Sequence, residues 1–460
     1  MKRIHFVGIG GIGMSGLAEV IHARGFHVRG SDAAESDNTR WLRSIGIPVV
    51  IGHAAEHVGD ADLVVYSSAV NPDVNPETLE ARRRGIPLVR RAELLAHVTR
   101  LGKSLAIAGT HGKTTTTSLC GRVLIEAGFD PTVIVGGRLR DFGGSNARVG
   151  TGQWFVVEAD EYDRSFLQLA PTLAVITNVE AEHLDVYGSV DAVERAFVEF
   201  AHRVSLLGAL IVCGDDPGCM RVVAQVPHRV VTYGFGSQCM LRATDVEYTN
   251  DGVRATVLWL GKELGQLVLR IPGAHNICNA LAAIAVGLEL DIPYLAVQRA
   301  LSSFEGVIRR FQVMGNWRGV TIIDDYAHHP TEVRATLRTA RERFPGRRIV
   351  AVFQPHTYTR TRDFASDFAR ALTAADLVIV TDIYAAREAP ISGVSGHTIV
   401  ASLNGRVSQM HYAPTHADVR DLLARVLVPG DVLITMGAGD IVQIAEELVA
   451  AESATFTEST

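Results

Sequence analysis

Residues 109–117, GTHGKTTTT, set two glycines, a lysine and a run of hydroxyls directly after the apolar stretch SLAIA. In a glycine turn that opens a helix, backbone N–H groups converge on one point, and the helix dipole favours an anion there. Lys113 is placed to reach the outer phosphates of a nucleotide, and the Thr114 hydroxyl to ligate Mg2+. Phosphate contacts are therefore expected from Gly109, Thr110, His111, Gly112, Lys113, Thr114 and Thr115. The loop is abbreviated: only Thr110 and His111 separate Gly109 from Gly112, where the common phosphate loop is longer. Lys113 is also one of only four lysines, with Lys2, Lys103 and Lys262, among 44 basic residues otherwise written as arginine. A guanidinium fork does not replace a compact ammonium on a flexible stem.

A second glycine loop, GIGGIGMSG at residues 8–16, spaces Gly8, Gly10 and Gly13 as G-x-G-x-x-G, with Gly11 inside it. Asp32 closes the next apolar segment, where dinucleotide folds keep a ribose-binding acid. Taken alone this suggests NAD. The glycines recognise only a pyrophosphate, however, so any nucleoside diphosphate, a UDP-sugar included, satisfies them. VVEADEYDRSF (156–166) ends an apolar run in Glu158, Asp160 and Glu161, which are candidates to hold Mg2+ beside the phosphate loop. ITNVEAEHLDVYG (176–188) supplies Asn178, His183 and Asp185, and His183 suits a metal or a structural hydrogen bond equally. PGAHNICNA places His275, Asn276 and Asn279 at a helix start, as caps or as partners for a base edge. DDYAHHPTE (324–332) and FQPHTYTRTRD (353–363) bring acids, a tyrosine, histidines, Arg360 and Arg362 to two further run ends. Those arginines suit a carboxylate or a phosphate.

Every one of these groups follows the carboxyl end of a strand-like run, where open α/β sheets bind ligands. The alternation of short apolar runs with helical periods restarts near residues 100 and 309. The expected fold is α/β with three domains. Residues 1–99 form a Rossmann-like parallel sheet. Residues 100–308 form a central P-loop ATPase-like domain, with a small antiparallel sheet over 230–271. Residues 309–460 form a C-terminal Rossmann-like domain ending in a frayed polar tail.

Composition fits this picture and excludes other classes. The chain of 460 residues is 47% apolar with a net charge of −6, so no basic face advertises nucleic acid. Strand-like RIHFVGIG begins at residue 3 instead of a signal peptide, and no apolar run reaches a membrane span. A cytoplasmic location without membrane insertion is expected. The five cysteines, at 120, 213, 219, 239 and 278, form no C-x-x-C pair and read as reduced core thiols. Zinc on Cys213, Cys219 and Cys239 is the alternative, without a standard spacing.

With these motifs in hand, the whole chain resembles the ATP-dependent Mur ligases of bacterial cell-wall synthesis. The carriers, in order, are GIGGIGMSGLA, SSAV (67–70), GTHGKTTT, EADEYDRSF, TNVEAEHLD, PGAHNICNA, RRFQ, DDYAHHPTE, FQPHTYTRTRD and MGAGDI. The abbreviated phosphate loop is that family's form. The resemblance implies an amide-bond-forming ligase in peptidoglycan synthesis, using ATP and Mg2+. It would join L-alanine to the lactyl carboxylate of UDP-N-acetylmuramate through an acyl phosphate. The UDP-sugar would lie on Gly8, Gly10, Gly11, Gly13, Asp32, Ser67 and Ser68. Lys113 would stabilise the transferring phosphoryl group, and Thr114, Glu158 and His183 would complete the metal sites. His275, Asn276 and Asn279 would approach adenine, Asp324 or Asp325 the ribose, and Arg310 a phosphate. Tyr326, His328 and Arg360 would place alanine, with Arg360 on its carboxylate. Several related ligases hold a second metal with a carbamylated lysine. No lysine lies between Lys113 and Lys262 here, so His183 and solvent would suffice, or Glu180, Glu182 or Asp185 would contribute. A monomer or weak homodimer is expected. The competing readings are a peptide-recycling ligase on the same sugar nucleotide, an NAD-dependent dehydrogenase and a nucleotide-sensing switch.

Overall fold

A computed structural model describes residues 2–139, 143–249, 252–386, 388–403 and 409–457. The chain divides into two compact units. The first holds Met1–Val246, Ala255–Leu269 and Asn276–Val307; the second holds Ile308–Thr460 with Glu247–Arg254 and Arg270–His275.

The first unit begins with a five-stranded sheet of Arg3–Val7, His27–Asp32, Val49–Ile51, Leu63–Tyr66 and Leu88–Arg90. Arg3–Val7 is central, and its neighbours and theirs all pair in parallel. The central strands are buried on both faces, which is why Leu63–Val65, and Ile4, Phe6 and Val7 around His5, are apolar. The helix Ile12–Ala23 follows the first strand directly, and the helix Pro76–Arg83 is started by Asn75, whose side chain accepts the N–H groups of Glu77 and Thr78. Behind the sheet lies an ionic cluster. The fully buried Glu77 accepts from His5 Nε2, from Ser31 Oγ at 2.7 Å and from His53 Nδ1 at 2.8 Å.

The same unit contains a ten-stranded sheet. Lys103–Ala108 is parallel to Trp154–Glu158 on one side and to Leu173–Ile176 on the other, so the ends of these three strands open together. The alternating segments expected as a small antiparallel sheet form one side of this sheet. Val230–Gly234 pairs with Ala209–Cys213 and with Leu241–Thr249, and Gly252–Trp259 and Lys262–Leu269 complete that edge. The helix Ile12–Ala23 of the first sheet is tied to the far edge of this one. Asn146 donates to Ile12 O, and Ser145 Oγ donates to Glu19 at 2.9 Å. A Cβ on Gly16 would come within 2.9 Å of the Asn146 amide, so only glycine permits that approach.

The second unit is a six-stranded sheet ordered Gln312–Trp317, Val320–Asp325, Val432–Met436, Ile349–Phe353, Leu377–Val380 and Gln409–Tyr412. Its alternate residues feed two cores. Ile323, Ala351, Phe353 and Ile434 face one layer of helices, and Ile322, Val350, Val352 and Leu433 the other. The first strand is antiparallel to the second, across a turn whose Arg318 and Gly319 have φ of 47° and 80°. Two positive φ values are what a tight hairpin of this hand requires. The C-terminal segment is not a frayed tail as far as it is described: the helix Val442–Thr457 takes in most of it, and residues 458–460 lie outside the described residues. All five cysteines are free, and Cys213, Cys219 and Cys239 do not cluster as metal ligands among the described residues.

Candidate active site

The strand Lys103–Ala108 runs into the loop Gly109–Gly112, and the helix Lys113–Glu126 leaves it. Gly109 has φ +134° and Gly112 φ +80°, values that favour glycine. Crowding adds a second reason. A Cβ would lie 2.0 Å from Thr177 Oγ1 at Gly109 and 2.7 Å from Asn279 Oδ1 at Gly112. What the short loop lacks in length, the neighbouring strand end supplies as bracing. Asn178 accepts from His111 N at 2.8 Å and donates to His111 O at 3.1 Å. Asn178 O also accepts from Thr110 N, and Thr177 Oγ1 donates to His111 O at 2.5 Å. With Thr110 and His111 so occupied, the N–H groups of Gly112, Lys113, Thr114 and Thr115 have no hydrogen bond among the described residues. They form an anion cradle at a helix N-terminus.

Lys113 Nζ lies back over this loop. It donates to Gly109 O at 2.6 Å and to both carboxylate oxygens of Glu161, at 2.9 and 2.7 Å. Burial opposes the ammonium, but Glu161, Asp160 and Glu158 outweigh it, so the Lys113 pKa is raised and its charge is held. Burial pushes Glu161 up to about 7 against the pull of Lys113. Glu161, expected as a metal ligand, is here the lysine's counter-ion. Glu158 instead accepts from Gly136 N at 2.7 Å and from Thr114 Oγ1 at 3.2 Å. Burial raises its pKa as well. A carboxylate and a hydroxyl beside the cradle are hard oxygen donors, and that set fits Mg2+. His183 stands on the other side of Glu161, with Nε2 3.7 Å from Glu161 Oε1 and Nδ1 3.9 Å from Glu182. It caps the short helix Leu184–Tyr187 at φ 54°, an uncommon backbone for a non-glycine residue, and packs edge-on against Tyr162. The Asp185 side chain lies outside the described residues. Asn279 faces Gly112, accepts from Thr116 Oγ1 and donates to Asn276, so both amides brace the phosphate-loop helix. His275 is exposed and groups with the second unit.

The glycine loop at Gly8–Gly13 turns by the φ of +78° at Gly8. Its donors are already committed. Gly8 N and Ile9 N donate to Ser31 O, Gly11 N donates to Gly8 O, and Gly10 N donates to Asp32 Oδ2 at 2.7 Å. Asp32, expected at a ribose, thus closes the loop. Among the described residues, Ile12 and Gly13 N–H at the helix start stay unbonded. Ser67 packs on Gly8, where an added Cβ would stand 3.1 Å from the serine's own, while Ser68 lines a cleft shared with Arg90, Arg91 and Arg164.

In the second unit, the strand Val320–Asp325 delivers its two acids to the fold itself. Asp324 is fully buried between Arg309 Nε at 3.0 Å and Thr435 Oγ1 at 2.7 Å. Asp325 accepts from Phe311 N and Ala327 N, both at 2.8 Å. Each of the four carboxylate oxygens already accepts one hydrogen bond from the fold, so these acids hold the strand end, and a ribose contact would be added to those bonds. Arg310 pairs with Glu332 at 3.4 Å and stacks on Tyr326 at 5.3 Å. His328 packs edge-on against Tyr326 and against His356, and His356 Nδ1 lies 3.1 Å from Arg360 Nη1. Tyr326, His328 and Arg360 therefore share one cluster. Thr357, which starts the helix Tyr358–Leu372 that carries Arg360, has φ 67°, strained for a β-branched residue.

Three family models match the chain in sequence. Residues 3–102 match "Mur ligase family, catalytic domain", 107–287 "Mur ligase middle domain" and 309–439 "Mur ligase, glutamate ligase domain". The chain belongs to the Mur ligase family. Among Mur ligases it is 50% identical to the UDP-N-acetylmuramate–L-alanine ligase of Salinibacter ruber, over 98% of this chain and 94% of that one. It is 47% identical to the enzyme of the same name from Trichlorobacter lovleyi, over 98% of both. The crystal structure of the UDP-N-acetylmuramate–alanine ligase of Thermotoga maritima superposes with a TM-score of 0.84 at 32% identity, covering 98% of this chain and 99% of that one. A murein peptide ligase from Psychrobacter arcticus, 24% identical with a TM-score of 0.74 over 98% of each chain, shares the Mur ligase fold.

Proposed function

We propose that this Mur ligase joins L-alanine to the lactyl carboxylate of UDP-N-acetylmuramate, with ATP converted to ADP and phosphate, in peptidoglycan synthesis. The observation that carries the reading is near-full-length identity with alanine ligases, in a chain whose first unit keeps both an anion cradle at Gly112–Thr115 and the glycine loop. A carboxylate is a poor acyl donor because its leaving group would be an oxide. Attack by the lactyl oxygen on the γ-phosphorus of ATP expels ADP and forms an acyl phosphate; attack by the neutral alanine amine then expels phosphate.

Both reactants of the first step are anionic, so cations must screen them. The Gly112–Thr115 N–H groups hold phosphate oxygens, and Lys113 exchanges Glu161 for the transferring group. Thr114 and Glu158, with His183 nearby, would hold Mg2+, which supplies further neutralisation when bound. Arg360 takes the alanine carboxylate beside Tyr326 and His328. Asn276 and Asn279 act on the loop helix more directly than on a base. ATP as substrate suits a cytoplasmic location, and no helix among the described residues is long and apolar enough to cross a membrane.

The test is product formation. ADP and phosphate release must require UDP-N-acetylmuramate and L-alanine together, and the nucleotide product must gain one alanine. If a tripeptide replaces alanine as the better acceptor, the recycling reading takes its place. If neither is joined, the ligase reading fails.

A further inference from the structure

Two of the five thiols touch each other. Cys213 ends the strand Ala209–Cys213, and Cys278 lies near the start of the helix Ala274–Glu289; both belong to the first unit. The Cys278 thiol donates to the Cys213 sulfur, which also accepts from Asp215 N–H. The bond from Cys278 holds the Cys213 thiol below its usual pKa against the effect of burial, while Cys278, as the donor, is pushed well above its own. Only a thiolate is a good nucleophile, so Cys213 is the attacking sulfur of the pair. Access separates the pair from the other thiols. Cys278 is partly exposed and Cys213 keeps 8% of its surface, whereas Cys120 and Cys219 have none. Burial raises the pKa of Cys120, Cys219 and Cys239.

The position of Cys278 gives the pair leverage. Asn279 follows it directly, accepts from Thr116 Oγ1 at 3.1 Å and donates to Asn276 at 3.2 Å. A Cβ on Gly112 would lie 2.7 Å from Asn279 Oδ1, so this helix start and the phosphate loop have no slack between them. A disulfide is shorter than the contact between two thiols. Closing it draws the helix start toward the strand end and shifts Asn279 relative to Gly112 and Thr116.

We propose that Cys213 and Cys278 form a reversible redox pair whose disulfide loosens the Gly112–Thr115 anion cradle. The oxidant is a peroxide. The Cys213 thiolate attacks one peroxide oxygen, the O–O bond breaks, and hydroxide leaves as the Cys213 sulfenic acid forms. The Cys278 sulfur then attacks the Cys213 sulfur. The S–S bond forms, the S–O bond breaks, and the departing hydroxyl takes the Cys278 proton as water. The first hydroxide takes the proton that Cys213 had given up. The two sulfurs thus lose two electrons, and hydrogen peroxide becomes two waters. A dithiol reverses the change by thiol–disulfide exchange. Transient, sensing disulfides of this kind are the ones found in reducing compartments. The inference goes beyond the proposed ligase reaction and uses only its nucleotide cradle.

Hydrogen peroxide is titrated against the full chain, with peptide mass mapping and ATP calorimetry on the same samples. The expected product is a cross-linked peptide pair joining Cys213 to Cys278, two hydrogens lighter than the reduced pair. ATP affinity should fall roughly tenfold in step with it, because small misplacements are expensive in such a cradle. Dithiothreitol should reverse both changes. Cys278→Ser and Cys213→Ser are each expected to bind ATP as the reduced wild type does, before peroxide and after it. Oxidation of either cysteine without the cross-link overturns the proposal. So does a cross-link that leaves ATP affinity unchanged, or a loss of affinity in peroxide that the two serine variants share with the wild type.

Discussion

In the proposed reaction Lys113 meets the transferring phosphoryl group, and its surroundings explain why it is not an arginine. An ammonium must fold back over a loop of four residues, satisfy Gly109 O and both Glu161 oxygens, and still pivot to a phosphate. A fixed planar fork could do the first or the second. Lys113→Ala is expected to lower kcat on the order of 10²- to 10³-fold, the loss seen when a charge-stabilising donor is removed. Calorimetric affinity for UDP-N-acetylmuramate should be unchanged. A parallel loss of that affinity would show that the two cradles are not separate.

The phosphate loop works as an element only because the next strand end holds it. Asn178→Ala removes both hydrogen bonds to His111 and leaves its N–H unpaired, at a cost of about 1–3 kcal/mol. Nucleotide affinity should fall roughly tenfold as the cradle loosens, since small misplacements are expensive in such sites. Equilibrium binding of ATP, with UDP binding as the control, checks it. The loop itself was legible in the sequence because glycine, lysine and threonine at that spacing have few other uses. So were the parallel sheets, whose strands are unbroken apolar runs. Asn178 was visible as a polar residue at a strand end, but its partner lies 67 positions away and no local pattern encodes that pairing. Asp324 and Asp325 read as site acids from their place at a strand end, and the same place lets them bond Arg309, Thr435, Phe311 and Ala327. Acids at a strand end serve a ligand or a neighbouring arginine equally well, and only the packing of Arg309 and Phe311 decides. The antiparallel edge strand Gln312–Trp317 escaped because its apolar residues are few and half-buried.

At the scale of the molecule, the first unit carries both glycine loops and the second the cluster of Tyr326, His328, His356 and Arg360. The glycine loop of the first unit rests on one buried layer. Ser31 is held twice: its carbonyl accepts Gly8 and Ile9, and its hydroxyl donates to the buried Glu77 behind the sheet. The back wall of the glycine loop is therefore ionic. Burial alone would raise the Glu77 pKa, yet the bonds from His5, Ser31 and His53 outweigh it and hold the carboxyl below its usual range. A depressed folded-state pKa contributes stability that is fully present above the unfolded value of about 4.3 and lost as pH falls through the folded value. Glu77→Gln should lower the melting temperature at neutral pH and flatten its decline below about pH 4. A melting series from about pH 3 to 8 on both proteins, read with UDP present and absent, reports the slope; an unchanged slope would assign the acid sensitivity elsewhere. On acidification, then, the turn of the glycine loop should keep its rear anchor until Glu77 takes up a proton below the usual carboxylate range, long after Glu161 beside the phosphate loop has taken up its own near pH 7.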